Sequence, residues 1–155
     1  MSSQKAGPMS AYEDWLVLLL KSFAAAQCAV VVLNLFLIRL LGWQDELTRL
    51  SLLPRQVFRV HIGFITLTLL IFGVLTWRFA VPMAAGSNPL ATWLAGGIGL
   101  FWGVRTVMQV AYYSSEHWRG KRPQTVAHIV LLLLYGSMSA TYLWAVITVA
   151  WAQAA

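Results

Sequence analysis

The chain has 155 residues, of which 59% are hydrophobic and 10% charged, and its mean hydropathy is +0.70. A soluble domain of this length needs a larger charged surface, so the composition excludes that class. The net charge of +6 comes from basic residues that flank apolar stretches, which argues against nucleic-acid binding. A single cysteine excludes an internal disulfide.

Four apolar stretches follow one another along the chain, at residues 15–41, 57–82, 91–113 and 126–151. Each reaches the roughly 20 residues that a helix needs to cross a bilayer core. Backbone amides cannot stay unpaired in hydrocarbon, so each span is predicted to be helical. We therefore predict an all-α fold, an integral membrane four-helix bundle that forms one domain over residues 1–155.

The basic residues next to the spans predict the orientation. Seven lie on one side, in or beside the connections between spans one and two and between spans three and four: Arg39, Arg49, Arg55, Arg59, Arg119, Lys121 and Arg122. The other side carries three, which are Lys5, Lys21 and Arg78. Because basic residues accumulate on the cytoplasmic side, we expect both termini on the outer face of a multi-pass protein of the bacterial inner membrane.

The first connection, residues 42–53, contains an acidic pair followed by regularly spaced leucines. Asp45 and Glu46 precede Leu47, Leu50 and Leu53. This spacing predicts a short amphipathic turn on the membrane surface, and a partly ordered loop is the alternative.

Span three carries a polar stripe. Arg105, Gln109, Tyr113 and His117 are spaced by four residues, so they share one face of a helix. An unpaired guanidinium facing lipid costs about 2.5 kcal/mol even on the lenient insertion scale. We therefore expect this stripe to face protein or a wet cavity.

Spans two and four open in similar ways. Each begins with a proline and an arginine and reaches a histidine within two turns, His61 in the one and His128 in the other. Duplication and chance convergence under membrane constraints both explain this pattern. In either case the two histidines enter the membrane from the same side. The predicted ligand-binding residues of a cytoplasm-facing cationic cavity are Arg59, His61, Arg105, Gln109, Tyr113, His128 and Tyr135.

Most of these residues also have a plainer explanation. Arg59 suits an arginine that snorkels to head groups, and His61 and His128 suit structural hydrogen bonding near a helix start. Arg105 with Gln109 lies too deep for a snorkelling or interfacial pair, so a functional or architectural site is favoured there.

The absent residue patterns narrow the chemistry further. No Asp or Glu lies within a span, which argues against a proton-driven transporter and against hard-cation sites. Nucleotide, zinc and nucleophile-elbow motifs are missing. Small residues at 95–97 and 136–140 predict close helix packing and also permit a homo-oligomer or a partner subunit.

One resemblance covers about a quarter of the chain. The residues that carry it are Trp102, Arg105, Gln109, Tyr112, Tyr113, Trp118, Arg119, Gly120, Thr125, His128, Tyr135 and Tyr142. This run resembles a group of short bacterial four-helix membrane proteins without a settled activity. The resemblance implies a family and no particular function.

The start of span two carries another resemblance. Arg59 and His61 match the first half of an Arg-x-His-x-Asn-x-x-Glu pattern, whereas Gly63 and Thr66 stand where Asn and Glu would be. This pattern is similar to that of the MAPEG family of membrane glutathione transferases and eicosanoid enzymes. The resemblance implies a transferase in which Arg105 or a tyrosine stabilises a thiolate or an oxyanion, while the missing carboxylate argues against glutathione as the cofactor.

Three functions therefore remain as hypotheses. The first is a binding or accessory protein of the lipid bilayer whose cavity holds an anionic amphiphile such as a lipid head group. The second is a redox subunit with haem b between His61 and His128, and no metal is predicted apart from its iron. The third is a MAPEG-like membrane transferase.

Overall fold

The computed structural model of the protein describes residues 10–40, 42–112 and 122–154, with Leu37 and residues 122–124 described in their backbone only. Within these residues the helices follow in the order α1 (Ala11–Leu40), α2 (Gln44–Arg49), α3 (Leu52–Ala85), α4 (Pro89–Ala111) and α5 (Arg122–Ala154). The described residues contain no strand. The helices α1, α3, α4 and α5 are long and apolar enough to cross a membrane. The predicted class, an all-α membrane protein with four spans, is confirmed, and the side on which the termini lie stays a prediction.

Two helices, α1 and α4, begin before their apolar stretches at residues that polar side chains cap. At the start of α1 the Ser10 amide donates to Glu13 Oε2 over 2.7 Å, and the Glu13 amide donates to Ser10 Oγ over 3.2 Å. This reciprocal pair is a capping box. The Leu90 amide likewise donates to Asn88 Oδ1 over 2.9 Å at the start of α4, where Pro89 occupies the first helical position.

Two glycines allow the chain to turn between helices. Gly42 has a φ of 66° and leads from α1 into α2, whose Leu47 is buried. The predicted short amphipathic element is thus a helix. Gly86 has a φ of 61° after α3, and a Cβ there would lie 2.6 Å from Cγ2 of Val149. Both the backbone conformation and the lack of space therefore require glycine at position 86.

The described residues divide into two compact units. One comprises the described parts of Met1–Leu20 and Phe79–Ala155, and the other is Lys21–Arg78. In the first unit α4 packs against α5. The Ser139 hydroxyl donates to the Gly99 carbonyl over 2.9 Å, and a Cβ on Gly99 would lie 3.0 Å from Cγ of Leu143. The tightest approach between α4 and α5 lies at Gly99 and at Gly103, whose added Cβ would lie 3.0 Å from Oγ of Ser139. Of the residues expected at 95–97, Ala95 is fully buried, whereas Gly97 has nothing within 4 Å of an added Cβ.

The second unit contains a close approach of α1 to α3. A Cβ on Gly73 would lie 3.1 Å from Sγ of Cys28 and 3.3 Å from the Ala24 carbonyl oxygen. Gln27 and Thr76 are fully buried. Gly73 therefore lets the two helix backbones approach, as small residues do between membrane helices.

Candidate functional site

A hydrogen bond between two side chains joins α4 to α5. Nε2 of Gln109 lies 3.0 Å from Nδ1 of His128. An amide nitrogen only donates, so Nδ1 accepts and the neutral imidazole carries its proton on Nε2. Gln109 is 3% exposed, and its Oε1 has no hydrogen-bond partner among the described residues. The pair therefore presents a buried acceptor oxygen beside an imidazole donor.

Arg105 lies one turn before Gln109 on α4 and is half-buried. Its guanidinium carbon is 5.2 Å from the ring centroid of Tyr135, which is a cation–π distance. The Tyr135 ring stacks in turn on Trp102, with centroids 5.0 Å apart and planes at 25°. The ring face of Tyr135 therefore stabilises the positive charge of Arg105. This contact offsets part of the free-energy cost of placing a guanidinium in an apolar membrane helix.

The structure brings together four of the seven predicted site residues. We call them the α4–α5 polar cluster; they are Arg105, Gln109, His128 and Tyr135. Tyr113 lies outside the described residues, as does His117. Arg59 and His61 lie on α3 in the other unit, and both are exposed. One cavity formed by all seven residues stays a prediction.

A pocket of about 440 Å³ lies in the unit Lys21–Arg78, between the end of α1, the short helix α2 and the start of α3. We call it the corner pocket. Its polar lining consists of Arg39, Gln44, Thr48 and Arg59, and its apolar lining of Leu35, Phe36, Ile38 and Leu47. Arg59 was predicted as a ligand-binding residue.

The other polar residues of the corner pocket were missed by sequence reasoning. Arg39 was counted only as a charge that sets the orientation, and Gln44 and Thr48 were assigned no role. Their convergence depends on how α2 folds back after Gly42, and no short-range spacing in the sequence reveals it. Trp102 was missed as a stacking partner for a similar reason, since its contact with Tyr135 crosses between two helices.

Neither metal ligation nor similarity to known proteins assigns a role to these residues. Within residues 10–40, 42–112 and 122–154, no three His, Cys, Asp or Glu side chains are grouped so that they could hold a metal ion. No protein-family model, curated protein or solved structure matches the chain. The two family resemblances therefore stay predictions.

Proposed function

We propose that this protein is a multi-pass membrane protein that binds an anionic amphiphile at the α4–α5 polar cluster. The observation that supports this function is the half-buried Arg105 one turn from Gln109, whose buried Oε1 lacks a hydrogen-bond partner among the described residues. A guanidinium pairs phosphate or carboxylate with two parallel hydrogen bonds, which suits an anionic head group.

The rest of the cluster narrows the kind of head group. Gln109 Oε1 is buried without a hydrogen-bond donor among the described residues, so a ligand hydroxyl can donate to it. A head group that places an anionic phosphate beside Arg105 and a hydroxyl beside Gln109 fits these two side chains. Neighbouring α4 side chains such as Val107 and Val110 are apolar and exposed, so an acyl chain has a surface to follow.

We propose that the α4–α5 polar cluster lies on the cytoplasmic side of the membrane. The excess of basic residues beside two of the connections favours a cytoplasmic position for the start of α5, where His128 lies. On this basis the cluster serves lipids of the cytoplasmic leaflet of a bacterial inner membrane.

Two observations weigh against the other functions. Coordination of haem iron through Nε2 of His128 would move the ring proton to Nδ1, and Nδ1 could then no longer accept the hydrogen bond from Gln109. At the position where the MAPEG pattern has Glu, the Thr66 hydroxyl donates to the Ile62 carbonyl over 2.7 Å. That hydroxyl is used within its own helix, so it does not replace a carboxylate that would hold an ammonium group.

Lipid binding to the purified protein tests the proposal. Delipidated protein in detergent is titrated with phosphatidylglycerol, phosphatidic acid and phosphatidylcholine of matched acyl chains, and photoreactive analogues map the contacts by peptide mass spectrometry. We expect phosphatidylglycerol to crosslink to α4 and α5 peptides in preference to phosphatidylcholine. Arg105→Gln should weaken that binding by about 10- to 100-fold, the value of a hydrogen bond to a charged group.

Arg78→Gln is the matched control because it removes the same charge from an exposed position on α3. It should leave crosslinking to α4 and α5 unchanged. Equal crosslinking by phosphatidylglycerol and phosphatidylcholine, or an Arg105→Gln protein that binds normally, contradicts the proposal.

A further inference from the structure

We infer that the corner pocket is a second, separate site, which holds the phosphate of an anionic phospholipid between Arg39 and Arg59. This inference does not rest on the function proposed above. Every described residue that lines the pocket belongs to Lys21–Arg78, whereas the α4–α5 polar cluster belongs to the other unit.

The charge of the pocket favours an anion. Arg39 comes from the last turn of α1 and Arg59 from the second turn of α3, and both line the same space. None of the described lining residues is a carboxylate; Asp45 and Glu46 lie on α2 outside the lining. Two guanidinium groups that share a pocket repel each other, and a phosphate between them replaces this repulsion with charge-assisted hydrogen bonds.

The apolar half of the lining distinguishes a lipid from a free phosphate ion. Leu35 and Phe36 on α1 are 67% and 48% exposed, and they line the pocket together with Leu47 of α2. Inorganic phosphate gains nothing from such a wall. An acyl chain that leaves the head group covers these side chains and removes apolar surface from water.

The volume and the position of the pocket also suit a head group. A pocket of about 440 Å³ lies within the range of small-molecule sites, roughly 300–1,000 Å³. It lies where α1 ends and α3 begins, so it is at the end of two membrane-spanning helices rather than in their middle. Arginines at this depth meet lipid phosphates.

The hydroxyl of Thr48 leaves anion recognition to the arginines. Thr48 Oγ1 donates to the Asp45 carbonyl over 2.7 Å. The hydroxyl proton is therefore already bonded within α2, so Thr48 Oγ1 can accept a hydrogen bond from a ligand but cannot donate one to an anion. Gln44, whose amide group both donates and accepts, is the remaining polar contact for the head group.

Photoreactive phosphatidylglycerol, phosphatidylcholine and inorganic phosphate test the inference on the full-length protein in detergent. Phosphatidylglycerol should crosslink to peptides that contain residues 35–59, and phosphatidylcholine should do so at least tenfold less. Inorganic phosphate at millimolar concentration should displace little of the lipid. Equal labelling by both lipids overturns the anion site, and full displacement by inorganic phosphate overturns the lipid as its occupant.

Variants of the two arginines connect the labelling to the pocket. Arg39→Gln and Arg59→Gln should each lower the affinity for phosphatidylglycerol at residues 35–59 by about tenfold. Arg49→Gln is the matched control, since Arg49 is an exposed arginine of α2 that does not line the pocket. A loss with Arg49→Gln as large as that with Arg39→Gln overturns the site.

Two further comparisons keep the result interpretable. If a glutamine variant does not fold, the double variant Arg39→Lys and Arg59→Lys retains both charges but loses bidentate pairing. It should bind several-fold more weakly than the natural protein, and unchanged binding overturns pairing by the arginines.

Arg105→Gln should leave labelling at residues 35–59 intact. Labelling of residues 35–59 therefore tests the corner pocket, and labelling of α4 and α5 peptides tests the α4–α5 polar cluster.

Discussion

Gln109 and His128 are joined by a hydrogen bond of 3.0 Å that ties the end of α4 to the second turn of α5. The two residues are 19 positions apart in the chain. Because the amide donates to Nδ1, the bond both couples two helices and fixes which imidazole nitrogen carries the proton. Its energy and its proton position can be measured separately.

Replacing Gln109 by Leu should destabilise the protein. Side-chain hydrogen bonds between membrane helices contribute about 0.6 kcal/mol on average and up to about 1.7 kcal/mol. We expect a loss in this range, measured by unfolding in mixed micelles. A double-mutant cycle with His128→Leu should give a coupling energy of similar size. Met108→Leu, at an exposed neighbour, is the control, and additive single effects would show that the bond contributes nothing.

The imidazole of His128 should be the neutral form with the proton on Nε2. Nitrogen NMR of protein with labelled histidine measures this directly, and substitution of His61 and His117 by Gln isolates the signal of His128. Haemin added to the natural protein, which keeps His61, should give no bis-histidine Soret band, because ligation through Nε2 of His128 would move the ring proton to Nδ1 and break the hydrogen bond from Gln109. A signal from a protonated Nδ1, or a Soret band that depends on His128, would revive the haem hypothesis.

Gly99→Ala should destabilise the contact between α4 and α5. The new Cβ would lie 3.0 Å from Cγ of Leu143 and 3.1 Å from Cβ of Tyr142, so these side chains or the helix that carries them must shift by a few tenths of an ångström. Overpacking of this kind costs about 1–3 kcal/mol. Unfolding in mixed micelles measures the change.

Gly97→Ala is the matched variant for that experiment. Position 97 has open space around an added Cβ, and alanine favours a helix over glycine by about 0.5–1 kcal/mol. This variant should be as stable as the natural protein or more so. If both alanine variants lose the same stability, close approach at Gly99 is not what holds the two helices together.

The orientation is predicted from the basic residues and is checked by cysteine labelling. In a Cys28→Ala background, Ser87→Cys lies in the α3–α4 connection and Glu46→Cys lies on α2, and both positions are exposed. A membrane-impermeant maleimide should label Ser87→Cys in intact cells and Glu46→Cys only after lysis, because the arginine-rich connection stays in the cytoplasm. The reverse pattern would place the termini inside.

Hydropathy was sufficient to predict the four spans, because a bilayer imposes helices of a minimum length. Hydropathy did not predict the residues at which the helices begin. Residues 10–14 include Ser10, Glu13 and Asp14 and lie outside the apolar stretch, yet the capping box of Ser10 and Glu13 starts α1 at Ala11. Asn88 acts similarly before α4. Capping is a matter of single hydrogen bonds, which averaged hydropathy does not resolve.

Only part of the α4–α5 polar cluster was predicted, because spacing along one helix does not show contacts between helices. Spacing by four placed Arg105 and Gln109 on one face, and the cost of a buried charge turned that face towards protein. Spacing does not reveal which residue of another helix lies opposite, so the contact of Arg105 with Tyr135 needed the structure. Arg39 was overlooked as a lining residue because the corner pocket depends on the path of the chain through Gly42 and α2.

The tight fit of Cys28 against Gly73 makes the natural thiol a probe of the contact between α1 and α3. A Cβ on Gly73 would come within 3.1 Å of the sulfur, so little room is left beside it for a bulky adduct. Cys28 is only partly buried, so a small reagent should reach its sulfur on the side away from Gly73. The fall in reaction rate with increasing reagent size would measure how much α3 restricts access to the thiol.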